Sequence, residues 1–97
     1  MMEIRDLEKS GAITFLITLY EHGGSMQVTD LLYTTRINSQ TFYARKKDLM
    51  NAGFISQEGK IIDRDGKAIK TTIITLTPKG KKVAEKLAEI KEIMEKG

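Results

Sequence analysis

Between Arg36 and Asn51 lie the side chains best suited to recognising another molecule. The run RINSQTFYARKK, residues 36–47, holds four basic residues and no acidic one. If it is helical, Phe42, Leu49 and Met50 return to one side, with Ile37 leading in from a turn. The other side then shows Gln40, Thr41, Ala44, Lys47 and Asn51, flanked by Tyr43 and Arg45. Small, amide-bearing and basic groups with no bulky apolar residue make a face that could enter a DNA groove. The same pattern also suits an ordinary amphipathic surface helix whose charges face water. Other chemistry is poorly supplied. No nucleophile–base pair, paired-carboxylate motif or glycine-rich phosphate loop is present, so no enzymatic activity is expected. Asp63 and Asp65 are spaced as turn residues, and His22 is placed as a helix terminus.

Composition narrows the classes further. Ninety-seven residues make one domain with a modest core. Zero cysteines exclude disulfides and thiolate zinc sites, and one histidine cannot build a metal site unaided, so neither metal nor cofactor is expected. No apolar run approaches the roughly 18 residues of a membrane span. The opening MMEIRDLEKSG lacks the charged-then-apolar pattern of a signal peptide, which makes the cytoplasm the expected location. The net charge of +3 hides a polarity. Residues 36–82 carry eleven Lys/Arg against four Asp/Glu, a balance of +7, and the remainder carries five against nine, a balance of −4. A positive field gathered on one side suits a polyanion.

These residues need elements to hold them. Met1, Ile4 and Leu7 alternate with charges in a short leading helix or arm. Ser10 is the expected N-cap of a first helix, Gly11 to about Glu21, with Ile13, Leu16, Ile17 and Tyr20 inward and Phe15 and Leu19 widening the stripe. Gly23-Gly24 ends it. Ser25-Met26-Gln27 suits a single edge strand. Val28 to Tyr33 makes a short helix with Val28, Leu31 and Leu32 inward. Thr34 to Ile37 turns into the next helix, which Asn38 caps and Gly53 terminates. A short helix, a turn of about four residues and a capped second helix form a helix-turn-helix. Phe54-Ile55 and Ile61-Ile62 then open a hairpin folding about Asp65-Gly66, which pairs Ile62 with Ile69. The return strand Lys67 to Leu76 is rich in β-branched residues. Lys60, Arg64, Lys67 and Lys70 gather near the tip, as groove contacts or as charges that keep an edge from aggregating. Thr77 caps a last helix with Pro78 at N1. There Val83, Leu87, Ile90 and Met94 recur at spacings of four, three and four, widened by Ala84 and Ile93. That seam could pack on its own domain or on a twin. A helix so long on so small a core would leave much of it wet, which favours a dimer.

The order of helix, short strand, helix, turn, helix, hairpin and long helix resembles the winged helix-turn-helix transcription regulators, specifically the small dimeric MarR/PadR-like kind with archaeal relatives. Three stretches carry the likeness: GAITFLITLYEHGG at residues 11–24, Leu49 with Gly53-Phe54-Ile55, and Leu76-Thr77-Pro78-Lys79-Gly80. Together they span nearly the whole chain. The resemblance implies an α+β, mostly α, single winged-helix domain over residues 1–97, with the helix-turn-helix at about 28–52, the wing at about 54–76 and a dimerisation helix at about 78–96. It implies base reading in the major groove by Ser39, Gln40, Thr41, Tyr43, Ala44, Arg45 and Lys47. Gln40 would suit adenine and Arg45 guanine. Arg36, Lys60, Arg64, Lys67 and Lys70 would contact the DNA backbone, and Val83, Leu87, Ile90 and Met94 would form the dimer interface. One departure is Lys46, which stands one turn after Phe42 where an apolar residue is common. Either its stem lies along the core edge with the ammonium in water, or the helix rolls slightly.

The function expected is a homodimeric, sequence-specific regulator of transcription that binds double-stranded DNA, as a repressor rather than an activator. The alternative is a winged-helix module for protein contacts without DNA binding. Salt-sensitive duplex binding separates the two. A small-molecule effector is left unspecified by the sequence.

Overall fold

The computed structural model describes residues 7 and 9–96. The residues of the expected leading arm fall outside these, apart from Leu7, which packs half-buried against the core, and the exposed Lys9 and Ser10. Seven elements follow: α1 Ala12–Glu21, β1 Ser25–Gln27, α2 Val28–Thr35, α3 Ser39–Asn51, β2 Ile55–Arg64, β3 Lys67–Leu76 and α4 Pro78–Lys96. This is the mostly helical α+β arrangement that the sequence implies.

Gly11, not Ser10, occupies the N-cap of α1, in a left-handed conformation (φ +87°) and without a side-chain cap. A Cβ there would stand 2.7 Å from Cδ1 of Ile37, so glycine lets α1 begin hard against the turn before α3. The buried face of α1 also differs from the expected one. Phe15, Leu16 and Leu19 are fully buried, whereas Ile13 is 39% exposed and Tyr20 is half-buried. The cause is Phe15, whose ring stacks on Phe42 of α3 with centroids 5.0 Å apart. Aiming Phe15 at α3 turns Ile13 and Ile17 toward α4 instead, where they line a shared groove. His22 closes α1, and Gly24 donates its N–H to Leu19 O at 2.7 Å.

The sheet has the order β1-β3-β2. β1 is the short edge strand expected, pairing Ser25 with Thr75 and Gln27 with Ile73. The hairpin has the register expected, Ile62 opposite Ile69. Asp65 and Gly66 both take positive φ, 54° and 79°, the combination a two-residue hairpin turn of matching twist requires. α2 runs two residues beyond Tyr33, because Thr35 satisfies the Leu32 carbonyl through its Oγ1 at 3.0 Å. The turn into α3 is accordingly Arg36-Ile37-Asn38, with Arg36 left-handed at φ 58°.

One core cluster joins all layers. It contains Phe15, Leu16 and Leu19 of α1, Leu31 of α2, Phe42 and Leu49 of α3, and Ile55, Ile74 and Leu76 of the sheet. α4 enters it through Ala84. Gly80 allows that entry: a Cβ on it would overlap the carbonyl of Phe54. Among the described residues no helix is long and apolar enough to cross a membrane.

Candidate nucleic-acid interface

α3 begins as its sequence dictates. Asn38 Oδ1 accepts the Thr41 N–H at 2.9 Å, satisfying one of the orphan donors of the first turn. The helix ends in a Schellman-type closure. Gly53 at φ 79° donates to Met50 O, and Phe54 donates to Leu49 O, both at 3.0 Å. Between these caps, burial of Phe42 and Leu49 fixes the helix's rotation. Ser39, Gln40, Ala44, Lys47 and Asn51 are thereby left exposed. Four of these, Gln40, Ala44, Lys47 and Asn51, belong to the outward face the spacing implies, with Ser39 in place of Thr41 and Tyr43 beside them at 46% exposure. Tyr43 is held by an edge-on contact with Phe42, centroids 5.3 Å apart.

Two of the expected base readers sit differently. Thr41 is half-buried at the capped end. Arg45 is turned off the outward face: its side chain is only 18% exposed, and Nε lies 3.2 Å from Asp48 Oδ2. That Nε is buried, and the pair falls short of hydrogen-bond geometry, so it is a close ion pair rather than an aligned bond. Lys9 Nζ also approaches Asp48, at 3.9 Å. The sole acidic residue of α3 is thus engaged by cations away from Gln40, Ala44 and Lys47.

Lys46 lies at the edge of the core, as the first of the two placements open to it has it, but its ammonium has a protein partner. Its side chain is half-buried, and Nζ donates to Oε1 of Gln57 on β2 at 2.8 Å while standing 5.4 Å from the Tyr43 ring centroid. Gln57 was not visible as an interface residue in the sequence. The signal available was a polar side chain on β2 in phase with buried Ile55.

The wing's register divides the four tip cations. Arg64 pairs with Lys67, and Lys60 with Thr71, so these three cations share one face of the ribbon. Lys70 pairs with Ile61 and lies on the opposite face, the one that carries Gln57 toward α3. All four are exposed, as is Arg36 at the mouth of α3. The expected single basic cluster is therefore a two-sided one, because strand residues alternate faces.

At the far end, the α4 seam splits in two. Val83 and Leu87 are half-buried and pack on the chain's own core. Ile90, Ile93 and Met94 are 53%, 70% and 76% exposed. With Ile13, Ile17 and Leu87 on its walls, the groove between α1 and α4 holds about 440 Å³.

No protein-family model matches the chain, and no curated protein matches it by sequence. Solved structures do. A transcriptional regulator homologue from Pyrococcus horikoshii superposes with a TM-score of 0.73 at 15% identity, covering 97% of this chain and 89% of that one. A protein from Archaeoglobus fulgidus gives 0.70 at 25% identity, with 95% and 96% covered. A MarR transcriptional regulator from Methanosarcina mazei gives 0.66 at 23% identity, covering 91% of this chain and 57% of that longer one. The fold is that of the MarR-like winged-helix regulators. In this winged helix α3 holds the recognition-helix position and β2–β3 form the wing.

Proposed function

We propose that this chain is a single winged-helix domain that acts in the cytoplasm as a homodimeric, sequence-specific regulator of transcription, repressing by covering its DNA site. One observation carries the reading: the exposed face of α3, Ser39, Gln40, Ala44, Lys47 and Asn51, is left free of its own domain while cations flank it on the wing. That face enters the major groove, with Gln40 positioned for adenine and Lys47 for a guanine edge or a phosphate. Tyr43 borders the contact. Arg45 is reassigned to holding Asp48 at the helix flank. Arg36, Lys60, Arg64, Lys67 and Lys70 contact phosphates, which set register and salt dependence rather than sequence preference.

The homodimer part of the reading rests on Ile90, Ile93 and Met94, an apolar end of α4 that its own domain does not cover. Two such domains related by a two-fold axis would present two α3 helices to half-sites about 34 Å apart. Repression is the reading that suits such domains, since two of them on one site mainly cover DNA.

The test is fluorescence anisotropy with duplex DNA from upstream of the chain's own gene, beside a scrambled duplex, over a salt series. Tight, salt-sensitive binding confined to the upstream duplex supports an autoregulating repressor. An absence of binding to either duplex at low salt overturns DNA recognition and favours a protein-contact module.

A further inference from the structure

Position 46 falls one turn after Phe42 on the inward-facing side of α3, where helical spacing asks for an apolar side chain. Lysine there has a defined use. Its ammonium reaches out of α3 to Gln57, at the root of the wing, and its approach to Tyr43 connects that bond to the Phe42–Phe15 stack of the core.

Beyond its root the wing has little cover from the rest of the domain. β1 pairs with β3 only as far as Ile73, which stands opposite Glu58 of β2. Beyond that point the hairpin is a two-stranded ribbon, and apart from Ile62 every residue from Glu58 to Lys70 is exposed. From Gln57 to Arg64 the ribbon extends about 23 Å, at roughly 3.3 Å per residue. A rotation of about 10° at its root moves the tip by about 4 Å, more than a hydrogen bond to a phosphate tolerates.

We propose that the Lys46–Gln57 bond sets the angle between the wing and the recognition helix, and so fixes how many wing cations reach phosphates while α3 lies in the groove. Both are positioning residues. The inference rests on the DNA-binding reading above, but its core statement concerns the wing angle and can be tested without DNA.

Gln57→Ala removes no charge. The slope of log affinity against log salt reports the number of phosphates engaged, at about 0.9 per phosphate. Against the same duplex, Gln57→Ala is expected to lower that slope by about one or more and to weaken binding several-fold at low salt. Lys46→Met, which breaks the same bond from the other side, is expected to lower the slope by about as much as Gln57→Ala. A weakened Gln57→Ala with the wild-type slope would make Gln57 a direct contact and overturn the proposal. So would a slope loss of about one in Lys46→Met with none in Gln57→Ala, which would make Lys46 a phosphate contact.

The DNA-free arm uses the absence of native cysteine. Spin labels at Asp63→Cys on the wing and Asn51→Cys on α3, diluted with unlabelled protein, report the wing–helix distance. A distribution that broadens or shifts in Gln57→Ala supports the tie, and an unchanged one overturns it even where the DNA reading stands. Failure of the wild-type chain to bind any duplex would sink that reading while leaving this arm to decide the wing angle.

Discussion

Gln40 and Arg45, five positions apart on one helix, meet opposite fates. Gln40 is exposed on the outward face, the base reader in the function proposed above, whereas Arg45 is folded back onto Asp48 with its side chain 18% exposed. Gln40→Ala is therefore expected to weaken binding to the specific duplex by roughly 5- to 160-fold, the worth of about 1–3 kcal/mol for a bidentate base contact. Binding to a scrambled duplex and the melting temperature should stay close to wild type. Equal specific affinity in wild type and variant, measured by anisotropy, would remove Gln40 from the reading set. Arg45→Ala should act the other way round. It releases Asp48 from a close cation, so a lower melting temperature is expected together with a loss of affinity for both duplexes. The outward face was legible from spacing because Phe42 and Leu49 alone fix the helix's rotation. The fate of Arg45 was not: a flank position borders both water and protein, and its neighbour Asp48 lies only three residues away.

Elements join where their ends meet, and Thr77 ties the end of α3 to the start of α4. Thr77 Oγ1 accepts the Gly80 N–H at 3.1 Å as an N-cap and donates to Gly53 O at 2.6 Å, while Thr77 N–H donates to Phe54 O at 3.0 Å. One residue thus starts the last helix and closes the end of α3. Thr77→Val keeps the shape and loses both side-chain bonds. A loss of about 1–2 kcal/mol is expected from the cap, read in chemical denaturation as a lower midpoint at constant slope. Gly80→Ala should cost more, because its Cβ would overlap the Phe54 carbonyl and force the two elements apart. A Gly80→Ala protein as stable as wild type would show that α4 can shift without harm. Most of this scale was readable from local chemistry: the caps at Asn38 and Thr77, the stop at Gly53 and the turn at Asp65-Gly66 stand where the sequence puts them. The inward face of α1 was not, since six consecutive positions from Phe15 to Tyr20 include five large apolar or aromatic residues. Periodicity cannot rank such a run. The stacking of Phe15 on Phe42 ranks it, and that is a long-range fact.

At the scale of the whole molecule, charge and apolar surface gather on different elements, although Ile61 on the wing and Tyr33 on α2 are exposed as well. Cations crowd the α3 and wing side, and bare aliphatic side chains crowd the end of α4. A 19-residue helix is about 28 Å long, and its own core covers only the half that carries Gly80, Ala84 and, in part, Val83 and Leu87. Ile90, Ile93 and Met94 lie beyond that cover, and Ile90 and Met94 line the groove shared with Ile13 and Ile17. The charges of α4 are also uneven: Lys79, Lys81, Lys82 and Lys86 against Glu85 make its first half net +3, whereas Glu89, Glu92 and Glu95 against Lys91 and Lys96 make its second net −1. Two copies that meet at that less basic second half would bury both apolar ends with little charge repulsion. Ile90→Glu with Met94→Glu is the informative change, because Leu87 also packs on its own core and would confuse assembly with folding. Sedimentation is expected to show a monomer with an unchanged far-ultraviolet circular dichroism spectrum. The monomer should hold one half-site, so its salt slope should fall to about half that of the dimer. An intact dimer in the double variant would place the interface elsewhere on the chain. Monomers that kept the full slope would show instead that DNA, rather than α4, brings the two copies together.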